Sequence, residues 1–456
     1  MPASKNLVGP HGQLYAEPQP GADETAFQVS NTSSNYYNSP YYEAHKNQVQ
    51  AVPAPRSGAA LQLDLQDFIG PALIAQIQQA GRITFHSVGD TGAAKVSRSQ
   101  TEATAIAHEA GVADAMAAEV AAGGPDAPAF FFHLGDVVYN FGEAQYYYDQ
   151  FYEPFRGYDR PIFAIPGNHD GMVFGPGTSA PQVPTLQAFL TNFCAAAPGR
   201  SPEAPTMLRS VMTQPGVYFT VDAPFVSVIG LYSNVLEGPG VISSQKGNFP
   251  AVGDSQLAFL NSEMRRLAAD PDRKAGKRAV VIALHHPPSS ADARHSGSTG
   301  ALADMDQACK AAGLWPDLVL SGHAHLYQRF TRRPKGVNKE IPYLVAGSGG
   351  FAATAPQSTL GNAPVTQGEF TMEINPIVEF GYLTIATDGA TLTASFRSPS
   401  GTGVNIVDSV SVNLRTGIVT SGSSAAGNLG LTSSPGTHAR SGKKARRAPA
   451  KRRPSR

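Results

Sequence analysis

Residues 83–92 read ITFHSVGDTG, a short, mostly apolar run that breaks directly into Gly89, Asp90, Thr91 and Gly92. Such a run, with little polar alternation, fits a strand covered on both faces. The glycines after it let the backbone turn sharply and bring side chains inward. The same arrangement recurs four times: AFFFHLGDVVY at 129–139, IFAIPGNHD at 162–170, AVVIALHHPP at 279–288 and LVLSGHAH at 318–325. Each places its polar residues at the C-terminal end of a predicted strand, which in open α/β sheets is the edge that binds ligands.

Working outward, further strands are expected at 226–231 and 343–346, with helices near 63–79, 103–121, 256–268 and 305–311. In the first of these, Leu65, Phe68, Leu73, Ile74 and Ile77 are spaced for one apolar face. After about Glu379 the pattern changes to alternating strands, GYLTIATDG, ATLTASFRS and IVDSVSVNL, which predicts a terminal antiparallel element closing a second sheet. Residues 1–60 are rich in Pro, Asn, Ser and Tyr without a period and read as an extended or disordered arm, which Tyr36, Tyr37, Tyr41 and Tyr42 could pack against the domain. The catalytic domain is expected over 61–418, and a disordered Ser/Gly-rich, then basic, tail over 419–456.

The 456 residues are 41% hydrophobic and 15% charged, a globular composition. The formal charge of zero is unevenly spread: Arg440–Arg456 carries nine Lys or Arg and no acid, leaving the rest near −9. That tail either solubilises the chain or contacts nucleic acid or another anionic surface. Cys194 and Cys309 match no metal or redox spacing, and the sequence leaves open one disulfide or two free buried thiols. The N-terminus shows neither a charged n-region nor an apolar h-region, so a cytoplasmic location is the default expectation. There is no apolar run of the roughly 18 residues or more that a membrane span needs.

The side chains at the five strand ends are Asp, Asn, His and Tyr, oxygen and imidazole donors without a thiolate. That set suits Fe, Mn, Zn or Mg. Two ions about 3.5–4 Å apart need a shared carboxylate and several ligands on each side. Asp90, Asp136, Tyr139, Asn168, His285, His323 and His325 supply that number.

The ordered set GDTG, GDVVY, GNHD, ALHHPP and GHAH resembles the calcineurin-like metallophosphoesterases. Gly92 stands where most members have a metal-binding His, and Tyr139 ends the second motif; both features are similar to the purple acid phosphatase branch. The resemblance covers roughly residues 82–414. It implies a four-layer α/β/β/α sandwich of two mixed sheets flanked by helices. It also implies a first metal site of Asp90, Asp136, Tyr139 and His325. The second would share Asp136 and add Asn168, His285 and His323, with His286 the alternative to His285. A phenolate at the first site favours Fe(III) beside a divalent Zn, Mn or Fe; a Mn/Mn pair is the other option. The implied reaction is in-line attack on a phosphate ester by a metal-activated hydroxide, with His169 as general acid and Asp170 orienting it. His295 is a candidate phosphate contact or an exposed loop histidine. His86 and His133 read as core or supporting residues rather than ligands.

The expected substrate is a small-molecule phosphate monoester. The alternatives are a diester of the nucleotide or phospholipid type, decided by loops such as 171–177 and 289–299, and a non-catalytic binding protein on the same fold. The sequence leaves the oligomeric state open.

Overall fold

The computed structural model describes residues 49–422 apart from 96–100, 140, 172–185, 235–239 and 402, together with three two-residue strand segments upstream. The tyrosines at 36–42, most of the 171–177 loop and the basic tail lie outside the described residues.

Among the described residues, two large sheets pack face to face. The nine-stranded sheet runs in the order Val365–Gln367, Phe370–Met372, Tyr327–Arg332, Ile341–Ala346, Leu318–Ser321, Ala279–Leu284, Val226–Leu231, Phe219–Ala223 and Gln62–Asp64. The seven-stranded sheet runs Val419–Ser421, Gly403–Asn413, Thr391–Ser400, Tyr382–Thr387, Ile83–Val88, Phe131–His133 and Ile162–Ala164. Both are mixed. In each, the strands that carry the motifs are parallel, as in the registers Val88↔His133, His133↔Ala164 and Val281↔Leu318. The three C-terminal strands expected from their alternation pair antiparallel onto Ile83–Val88 through Leu383↔Ser87.

Alternate residues of these strands feed two cores. Phe85, Phe132 and Phe163 of one sheet meet Val228, Val281 and Leu320 of the other between the sheets. Val88, Phe131, Ile229, Val280 and Ile282 belong instead to the core formed with the flanking helices. Burial on both faces is why these strands read as continuous apolar runs. The helices Glu102–Ala122, Ser255–Ala269 and Thr299–Ala312 complete the α/β/β/α layering. Thr101 and Ser298 cap two of them by accepting from Thr104 N and Ala301 N.

The structure departs from the sequence reading in three places. The helix expected at 63–79 spans Gln66–Ala80, and Gln62–Asp64 is an edge strand beside Phe219–Ala223. That helix is broken at Gly70 (φ 78°, ψ 160°), because the ring of Pro71 disfavours helical backbone in the residue before it. The strand Tyr327–Arg332 is buried despite its polar sequence YQRFTR. Its charges are matched: Arg332 forks onto Asp306 at 2.6 and 2.7 Å and also bonds Glu369. Cys194 and Cys309 are both free and buried. Among the described residues, no helix is long and apolar enough to cross a membrane.

The sheets are also tied by a polar bridge. Tyr327 Oη and Arg329 Nε, from the larger sheet, both donate to Asp408 Oδ2 of the smaller one at 2.8 Å. Tyr327 stacks on Phe396 beside it. Replacing Asp408 by Ala leaves the Arg329 guanidinium buried without its partner. The expected loss is about 3–5 kcal/mol of unfolding free energy, measurable by urea denaturation.

Candidate metal centre

The five motif loops converge from both sheets. GDTG, GDVVY and GNHD follow strands of the seven-stranded sheet; ALHHPP and GHAH follow strands of the nine-stranded one. Three side chains of the centre stand on left-handed backbone: Asp90 (φ 59°), Asp136 (φ 54°) and His323 (φ 67°). Each such conformation costs of order 1–3 kcal/mol in a non-glycine residue and concentrates at functional sites. The approach between loops leaves no room for side chains beside them. A Cβ on Gly167 would collide with the Asp136 carboxylate, and one on Gly92 with Gln150 Oε1 and Val137 O.

The polar atoms form two groups that share Asp136. In the first, Tyr139 Oη donates to Asp90 Oδ1 at 3.0 Å and to Asp136 Oδ2 at 2.9 Å. His325 Nε2 lies 3.4 Å from that hydroxyl and 3.3 Å from Asp90 Oδ1. In the second, Asn168 Oδ1 sits 3.0 Å from both His285 Nε2 and His323 Nδ1, and His285 Nε2 is 3.2 Å from Asp136 Oδ2. One ligand atom each from Asp136, His285 and His323 fall within 4.8 Å of one another. All seven residues are buried.

The neighbouring histidines at 285 and 286 separate by their partners. His285 donates from Nδ1 to Leu134 O at 2.8 Å, which leaves the Nε2 lone pair facing the centre, the usual support for a ligating imidazole. His286 turns Nδ1 to Ser233 Oγ at 2.7 Å. His169 lies at the edge, its ring 4.5 Å from that of Tyr139 and its backbone N–H on Asp136 Oδ1. His295 is brought to the same place, with ring centroids 4.5 Å from His323 and 5.2 Å from His325.

Asp170 has a different task from the one expected of it. Its carboxylate accepts the N–H groups of Val137, Val138 and Gly167, so it ties the GDVVY loop to the GNHD loop rather than orienting the His169 ring. His86 bonds Tyr158 and Glu119, and His133 bonds Thr91 and the Gly135 N–H, as supporting residues do. Two residues escaped the sequence reading. Gln150, from a π-helical turn at Tyr148–Tyr152, pairs with both the N–H and the C=O of Tyr139 at 2.8 Å. Phe351 stacks on the Tyr139 ring at 3.5 Å. The glycine at 92 was the available signal for the first, since its missing side chain is where Gln150 enters.

The electrostatics favour a cation. Burial opposes a charged His285, yet the carboxylates of Asp136 and then Asp90 outweigh it and hold its pKa at about 9. Burial raises the Tyr139 phenol well above its ordinary value, and the same two carboxylates add to this. A metal ion placed among these oxygens reverses that logic, taking over the role of the proton. The donor set fits such an ion, and one feature of the geometry points to it: Asn168 offers its oxygen to two imidazoles while its buried Nδ2 has no partner. Removing the Asp170 clamp should loosen the ligands without touching them. Asp170→Ala is expected to weaken metal binding about 10–100-fold, read by metal titration with the protein still folded.

A model of the calcineurin-like phosphoesterase family matches residues 83–327, more than half of the chain. Among solved structures, the chain is similar to the purple acid phosphatase PPD1 of yellow lupin (Lupinus luteus), with 16% identity and a TM-score of 0.47 over 73% of this chain and 54% of that one. The match thus spans about half of the lupin protein. It is also similar to GAP50, the anchor in the inner membrane complex of Plasmodium (13% identity, TM-score 0.47, 72% of this chain and 87% of that one). A third is PhoD (14%, 0.46, 83% and 74%). No curated protein matches the sequence. With its five motif loops gathered around one buried centre and the family model spanning four of them whole and reaching through the fifth, this chain belongs to the calcineurin-like phosphoesterase family.

Proposed function

We propose that the chain is a two-metal hydrolase of phosphate monoesters. The observation that carries this reading is the sharing of Asp136 between two groups of donors, one built on Tyr139 and the other on Asn168. Asp90, Asp136, Tyr139 and His325 would hold one ion, and Asp136, Asn168, His285 and His323 the other. Bound there, such ions polarise phosphoryl oxygens and lower the pKa of water into the neutral range.

The chain's own residues do the rest. Asn168 is a neutral ligand, so the second position keeps more positive charge for an anionic substrate. His169, beside Tyr139 and one residue from Asn168, donates a proton to the leaving oxygen, a contribution typically worth about 10²–10⁴ in rate. His295 faces the phosphoryl group from the opposite loop. Phe351 covers one face of Tyr139 and excludes water from the phenol. The Tyr139 hydroxyl, aimed at two carboxylates, favours a trivalent ion on loss of its proton, and Fe(III) beside a divalent Zn, Mn or Fe is the proposed pair.

The test is turnover of an aryl phosphate monoester against the matching diester, after reconstitution with iron plus zinc or with manganese. Monoester hydrolysis that falls at least about 10³-fold in Asp136→Asn is expected. A preference for the diester would move the chain to the phosphodiesterases, and inactivity with every metal would favour a binding protein. The iron assignment has its own readout. The iron-loaded protein should show a visible phenolate charge-transfer band that is absent from Tyr139→Phe, whereas a colourless protein fully active with manganese contradicts it.

A further inference from the structure

We propose that Asp292 is a positioning residue, which holds His295 through Nδ1 so that its Nε2 meets a phosphoryl oxygen of the substrate. The inference rests on the phosphoesterase reading and concerns a residue outside all five motifs. Asp292 is buried, 1% exposed, in the loop after ALHHPP. Its Oδ1 lies 3.2 Å from His295 Nδ1, at ion-pair distance. The same oxygen accepts the backbone N–H groups of Arg294 at 2.7 Å and His295 at 2.8 Å. The Thr354 hydroxyl donates to Oδ2.

Thr354 joins this pair to the centre. Its own N–H bonds His325 O at 3.1 Å, so one short segment connects the Asp292 carboxylate to the loop that carries His325. The two loops are further joined by Ala293 N to Ala355 O at 3.0 Å and Gln357 N to Ala291 O at 2.9 Å. The backbone around His295 is therefore fixed relative to His323 and His325, and the carboxylate sets the orientation of its ring. An imidazole whose Nδ1 faces a carboxylate presents Nε2 from the other side of the ring. That arrangement is how a fixed tautomer is imposed on a histidine. An exposed loop histidine needs none of these contacts.

The test compares wild type, Asp292→Asn, His295→Gln and the double variant, each loaded with metal. Inorganic phosphate binding is followed by calorimetry, and KM and kcat with an aryl phosphate. Asp292→Asn keeps the shape and the backbone acceptor but removes the charge. Its phosphate affinity is expected to fall about tenfold and KM to rise alike, with kcat less affected. The double variant should be no worse than His295→Gln alone, because the two residues act as one. Thr354→Val, which keeps the carboxylate, should show a smaller loss of the same kind. Phosphate binding unchanged in Asp292→Asn, or losses that multiply in the double variant, would overturn the proposal. So would metal loss in Asp292→Asn, which would make Asp292 a support of the His325 loop, or a wild type that binds no phosphate. A wild type that binds phosphate but cleaves no ester, with binding still lost in Asp292→Asn, would overturn the phosphoesterase reading and leave the pair standing.

Discussion

Asp136 is the point at which the two sheets meet chemically. Its side chain sits between the hydroxyl of Tyr139, the imidazole of His285 and the backbone N–H of His169, which come from three different loops. To reach that position its own backbone adopts a left-handed conformation at φ 54°. Asp90 and His323 do the same on either side. Together these three residues store several kcal/mol of local strain, on the order of 1–3 each. The packed sheets behind them hold it. Strands buried on both faces cannot shift without opening one of two cores, so the loops at their ends are delivered to a fixed place.

The support around this carboxylate is neutral or acceptor-rich, and none of it is a cation aimed at the centre. Asp170 receives three backbone N–H groups and fixes the spacing of two loops. Gln150 holds both backbone polar groups of Tyr139, and Phe351 covers the ring of the same residue. His133, buried and held by Thr91 and Gly135, has its pKa lowered to about 3 by burial and by His285, so it supports without adding charge. An arrangement with buried carboxylates and no resident counter-charge of its own is completed by a metal, because an unpaired buried anion is costly.

The rim of the centre is built differently. His169 and His295 approach from opposite loops, one anchored to Asp136 through its backbone and the other to Asp292 through its ring. Both histidines sit where a bound phosphoryl group would be flanked. Their supports differ because their tasks differ: a proton donor needs reach toward the leaving oxygen, and an anion contact needs a fixed direction.

The strands at 83–88, 226–231 and 279–284 were legible to the residue, because burial on both faces leaves an unbroken apolar run. The motif residues were legible as well, since glycine turns at strand ends have few other uses, and the three C-terminal strands declared themselves by alternation. What sequence could not supply was anything held by long-range pairing. The polar strand Tyr327–Arg332 is buried only because Asp306, Glu369 and Asp408 lie across from it. The separation of His285 from His286 depends on Leu134 O and Ser233, more than 50 residues away in the chain. Gln150, Phe351 and Asp292 carry no motif. Their roles exist only where the fold sets them against Tyr139 and His295. The chemistry of the donor atoms is thus a property of the sequence, whereas their orientation is a property of the packed sheets, because a side chain's direction is set by neighbours that only folding brings near.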